Sequence, residues 1–164
     1  MSSTPIAGPG SAEHIEDLLS SWSKEWFANG VLKAIETTGE VDERGHYRWL
    51  LRFSGDEKDF VTMWLTLRQR TVHIETQVMP APEENIEAVY RYLLAKNADL
   101  YGLHLALGPE SAIYLVGRVP VGELSIERLD ELCGAALHYV DEIFPTAMSM
   151  GLASLYRRRP RSRP

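Results

Sequence analysis

The sequence predicts an α+β domain, a single antiparallel sheet with helices packed on it, in the order α-β-β-β-α-β-β-α. Three observations carry that expectation. Apolar residues recur at helical spacing in three segments and alternate at spacing two in five others. The links between the first three alternating runs are too short for a crossover helix, so those strands are antiparallel neighbours. The helices stand between and outside the strand groups instead of alternating with single strands, the pattern of helices layered on a sheet.

The first helix starts at Ser11. Ile15, Leu18, Leu19, Trp22 and Trp26 form one stripe, Ser11 suits an N-cap, Glu13, Glu16 and Asp17 suit the positive end of the dipole, and Asn29-Gly30 suits a stop. Residues 31–45 hold no sustained period between Gly39 and Gly45 and read as an irregular connection, at most with a short strand. His46 to Phe53 alternates, with Tyr47, Trp49, Leu51 and Phe53 on one face. Val61, Met63, Leu65 and Leu67 share the same face of the next run, and Val72, Ile74, Thr76 and Val78 that of the third.

Pro80 and Pro82 end the sheet, and Glu83 and Glu84 open a helix with the stripe Ile86, Val89, Tyr90, Leu93 and Leu94, closed by Asn97. Leu103, Leu105 and Leu107 lead through a Gly108 to Ser111 turn into Ile113, Leu115, Gly117 and Val119, a hairpin. Ser125 caps a last helix carrying Ile126, Leu129, Cys133, Ala136, Leu137, Val140 and Phe144, which Pro145 is expected to kink or break.

A chain of 164 residues with 45% apolar and 24% charged residues is of single-domain size and globular composition. The organisation expected is a flexible leader over 1–10, one domain over 11–156 and a disordered basic tail over 157–164. Five arginines fall in the last eight residues, so the formal charge of −6 conceals −11 for residues 1–156. An acidic body repels phosphate backbones, which argues against nucleic-acid binding through the folded domain. One cysteine, no signal-like start and no apolar run of membrane-spanning length point to the cytoplasm.

No phosphate loop, nucleophile elbow, paired-cysteine motif or metalloprotease helix is present, so no catalytic residue, metal or cofactor is assigned. His46, His73 and His104 share the strand face opposite the apolar one, with Glu75, but without a recognisable ligand spacing. Cys133 lies in an apolar helical stripe and reads as a buried small hydrophobe. Glu83 with Glu84 and Asp130 with Glu131 are adjacent on helices, point apart and read as surface charge.

The informative departure is apolar residues on the wrong sheet face. With the alternating core set assigned inward, Leu50, Phe60, Trp64, Tyr114 and Val116 point away from the core. Several large apolar groups on one face call for cover: from the first helix or residues 31–45, from a second copy of the chain, or from an exchangeable protein client.

The second half carries a resemblance. Asn85-Ile86-Glu87-Ala88-Val89-Tyr90-Arg91-Tyr92-Leu93-Leu94, then Asn97, Leu100-Tyr101-Gly102 and Ala112-Ile113-Tyr114-Leu115-Val116-Gly117-Arg118-Val119-Pro120, resemble the YbjN-type domains labelled bacterial sensory transduction regulators, in their actinobacterial form. The element order is also that of type III secretion chaperones. The likeness covers roughly residues 84–150, and the first half matches only in pattern. It implies a secretion-chaperone-like fold and a compact homodimer that binds proteins. Chaperone-like relatives pair through the second helix and the neighbouring hairpin, which here places Ile86, Tyr90, Leu94 and His104 at the dimer interface. The function expected is therefore non-catalytic binding of an unidentified protein client, with a small-molecule-sensing domain holding a ligand between sheet and helices as the alternative.

Overall fold

The computed structural model describes residues 11–41 and 46–156. The expected leader (1–10) and basic tail (157–164) lie outside the described residues. The elements are α1 (Ala12–Ala28), β1 (Leu32–Val41), β2 (Tyr47–Ser54), β3 (Phe60–Leu67), β4 (Thr71–Met79), α2 (Ile86–Asn97), β5 (His104–Leu107), β6 (Ile113–Pro120) and α3 (Ile126–Gly151). The α+β class stands, with one strand more than expected. All six strands are antiparallel to their neighbours, in the order β1-β2-β3-β4-β6-β5.

The added strand is β1, which occupies most of the segment expected to be an irregular connection. Its register slips between Leu32 and Ala34 and again between Thr37 and Val41. The first slip puts Leu32 opposite Phe53 and Ile35 opposite Leu51, both core residues, although Leu32 and Ile35 are three apart. A bulge of this kind hides a strand from a search for strict alternation.

All three helices bring their buried residues to the same sheet face. Ser11 caps α1 by accepting from the His14 N–H at 3.1 Å, and Gly30 ends it at φ 79°. Trp22 and Trp26 meet Phe53 edge-on at centroid separations of 6.4 and 5.7 Å, and the Trp26 indole donates to Asp130 on α3 at 2.6 Å. Ser125 caps α3 through the Arg128 N–H. Of the kink or break expected at Pro145, the break does not occur, since α3 runs on to Gly151; Pro145 and Ala147 are buried, and a Cβ at Gly151 would come within 2.8 Å of Pro82 and 3.1 Å of Val89. Close packing of that last turn on the start of α2 offsets the hydrogen bond that proline removes.

The core between sheet and helices contains Trp49, Leu51, Phe53, Val61, Met63, Leu65, Ile74, Leu115, Leu129 and Val140, all at most 1% exposed. The β2–β3 turn is tied to α3 by Asp141, whose carboxylate accepts from the backbone N–H groups of Asp56 and Glu57 at 3.2 and 3.1 Å.

Candidate functional site

The other sheet face carries none of the helices. Strand pairing sets a row of side chains straight across it: Glu36, Leu50, Trp64, Glu75, Val116 and His104, one from each strand. Neither α1 nor residues 32–41 fold over this row, since α1 packs on the opposite face and the segment is an edge strand within the sheet. Internal cover by α1 or by residues 32–41 is thereby removed; residues 42–45, part of the 31–45 segment named as a source of cover, lie outside the described residues.

The five residues expected on this face differ in availability. Trp64 and Val116 are half-buried and central, and the Arg48 guanidinium lies 4.2 Å above the Trp64 ring, a cation–π contact that masks part of it. Leu50 points outward as expected but is only 6% exposed between Glu36 and Trp64, so it forms a floor with little contact surface. Tyr114 stands in the next row beside Gln77, its ring directly against Gly108, where any Cβ would collide with it. Phe60 is 58% exposed at the end of β3, with Lys58, Phe144 and Leu155 around it, roughly 13 Å along the strand from Trp64. The centre of the face therefore carries Trp64 and Val116 on either side of Glu75, with Phe60 separate from them.

A second apolar surface lies between α2 and the edge strand β5. Val89 and Leu93 turn into the core, while Ile86 and Leu94 are 46% and 70% exposed and Tyr90 is half-buried. Tyr90, Leu94, Leu105, Leu107 and Ile113 line a groove of about 240 Å³, and Leu107 is 59% exposed at its end. Asn97 holds the groove's geometry, accepting from the Leu105 N–H at 2.6 Å and donating to the Leu105 carbonyl at 3.1 Å. His104 is not on this surface: it lies on the opposite side of β5, in the Trp64 row. Leu107 and Tyr101, which the sequence reading passed over, are the additional exposed apolar groups near α2 and β5.

Among the described residues, no three His, Cys, Asp or Glu side chains gather closely enough to hold a metal ion. His73 and His104 share the open face, as expected, but on different rows. Burial, then the charges of Arg68, Arg118 and His46, hold the His73 pKa below its ordinary value. Cys133 is buried against the Met63 sulfur at 3.9 Å, and burial, with Asp130 nearby, pushes its pKa far up, so the nucleophilic thiolate is suppressed. Lys96 on α2 and Glu142 on α3 pair at 2.6 Å, and the hydrogen bond lowers the Glu142 pKa and raises that of Lys96.

The described residues thus form a six-stranded antiparallel sheet with helices on one side and Trp64, Glu75 and Val116 at the centre of the other. The chain belongs to the YbjN family, whose model, described as a bacterial sensory transduction regulator, matches residues 29–147; that description is a label and names no mechanism. An uncharacterised protein of Mycobacterium leprae is 28% identical over 144 residues, covering 82% of this chain and 77% of the relative. An uncharacterised protein of Mycobacterium tuberculosis is 31% identical over 109 residues, covering 66% of this chain and 60% of the relative, so the match spans less than two thirds of that protein.

Among solved structures, the ExsC–ExsE complex matches with a TM-score of 0.54 at 17% identity, covering 81% of this chain and 92% of that one. The heterodimeric ExoU–SpcU complex of the Pseudomonas aeruginosa type III secretion system matches with a TM-score of 0.52 at 12% identity, covering 76% and 93%. The secretion-chaperone-like fold is thus shown, and these identities speak to fold alone.

Proposed function

We propose that this protein is a non-catalytic, chaperone-like or adaptor protein of the cytoplasm that holds a segment of a client protein against the open face of its sheet, and that it is a homodimer. The observation that carries the reading is the pair of half-buried apolar side chains Trp64 and Val116, flanking Glu75, on a face over which, among the described residues, no helix lies. Each large apolar side chain that a partner removes from water contributes roughly 1.5–3 kcal/mol. The family label and the structural likeness to chaperones held with their partners support the same reading. No helix among the described residues is long and apolar enough to cross a membrane.

Self-association is assigned to the groove between α2 and β5. Leu94 and Leu107 are apolar and mostly in water, and β5 is an edge strand bonded on one side only. The alternative, a small-molecule sensor, has its place in the same groove, but Asn97 already spends its amide on Leu105. With that amide committed, the groove has few polar groups to orient a metabolite, and a second apolar surface suits it better.

The test is affinity capture from the source cytoplasm with the native protein and with Trp64→Glu. The reading predicts one specific protein retained by the native chain and lost from the variant, with both melting at the same temperature. Equal retention by both, or capture by neither, contradicts it.

A further inference from the structure

Along β3 from Trp64, away from Phe60, the open face changes character. Arg68, His73, Glu75, His104 and Arg118 line a depression of about 820 Å³ walled by the backbone at Gly102 and Gly117 and bordered by Val116, which it shares with the surface proposed for the client. The protein carries a formal charge of −6, yet this lining gathers two arginines and two histidines around Glu75. His73 is placed between Thr66 of β3 and Arg118 of β6 in a single cross-strand row. The Arg68 Nε is buried and meets no hydrogen-bond partner. A charged donor in that state costs more than the roughly 1–3 kcal/mol of a neutral one; enclosed as it is, the Nε gains from an anion in the depression through charge and not through a direct hydrogen bond.

We propose that this depression binds the phosphate group of a small phosphorylated molecule, with Arg68, Arg118 and His73 as its donors. The three stand side by side on one sheet face, from the end of β3, from β6 and from β4, near enough for both arginine charges to act on His73. A tetrahedral group with three free oxygens uses such a set, whereas a planar carboxylate is satisfied by one guanidinium fork. Glu75 and His104 stand on the neighbouring row, where Glu75 is an acceptor for a ligand hydroxyl. Burial first, and then the charges of Arg68, Arg118 and His46, hold the His73 pKa down, so positive charge at the site contributes to the shift. Binding an anion reverses that balance: His73 then holds its proton more tightly, and affinity rises as pH falls. The groups that face this titration are Arg68 and Thr66 on the β3 side, His46 and Arg48 from β2 and the residue before it, Arg118 from β6, Glu75 from β4 and His104 from β5.

This inference does not depend on the client reading, and its test uses the isolated protein. The His73 ring is titrated by NMR at one ionic strength in chloride, in acetate, in inorganic phosphate and in sulfate, the last keeping its charge across the range. Phosphate and sulfate are expected to raise the His73 midpoint by about one pH unit, which is tenfold tighter binding to the protonated form. Arg118→Gln, at an exposed position, and separately Arg68→Gln are each expected to weaken phosphate binding about tenfold while the melting temperature of Arg118→Gln stays unchanged. An equal shift in acetate overturns phosphate selectivity. A midpoint that is the same in all four salts, or phosphate binding that Arg118→Gln leaves intact, overturns the site.

Discussion

Asn97 shows how a single side chain holds a functional surface in place. Its amide makes both backbone hydrogen bonds to Leu105, at 2.6 and 3.1 Å, and so fixes the end of α2 against β5 across the groove. Asn97→Ala removes both and leaves the Leu105 amide and carbonyl to find water, at a cost of about 1–3 kcal/mol. The melting temperature should fall accordingly, and an unchanged value would show that the pair contributes nothing. Cys133 makes the opposite case, a chemically capable group made inert by position. It is fully enclosed, with its pKa pushed up by burial first and by Asp130 second. The native protein should therefore leave a thiol reagent unreacted, and denaturant should release one equivalent of thiol. Rapid labelling of the native state would contradict the packing described.

At the scale of elements, alternation and helical spacing made most of the architecture legible, and the failures have physical causes. β2, β3, β4 and β6 each face the core with every second residue, so their inward sets could be read directly. β1 could not, because its two register slips put Leu32 and Ile35 on one face at a spacing that no regular strand has. The outward set was legible by subtraction from the core, which placed Leu50, Trp64 and Val116 together; that Leu50 is sunk between Glu36 and Trp64 depends on cross-strand register, which a sequence does not print. His104 was placed with the α2 residues by the resemblance alone, although strand alternation, already legible in the sequence, turns it to the other side of β5. On α2, one apolar stripe proved wide enough for two tasks: Val89 and Leu93 bind the core while Ile86 and Leu94 remain exposed. Leu94→Asp should then spare the fold and weaken self-association, read by light scattering as a shift of the native mass from dimer toward monomer. A native protein that is monomeric at all concentrations would remove the groove from the account.

For the whole molecule, the central fact is asymmetry. Among the described residues, three helices lie on one face of a six-stranded sheet and leave the other with Trp64 and Val116 near its middle and a basic depression, which Val116 also borders, toward one end. Antiparallel sheets commonly leave one face to solvent, and such a face is usually polar. Trp64 and Val116 depart from that rule among the polar neighbours Glu75 and His104. The client and the phosphate group proposed above would meet the same face, with Val116 common to both.

The most direct measurement of the central claim is site-specific photocrosslinking in the source cell. A photoreactive residue is placed at Thr62, beside Trp64 on the open face, or at Glu127, exposed on α3 on the helical side. The account predicts a discrete crosslinked protein from position 62 and none from 127. Crosslinks from 127 alone would show that partners meet the helical side, and the open face would lose its assigned role.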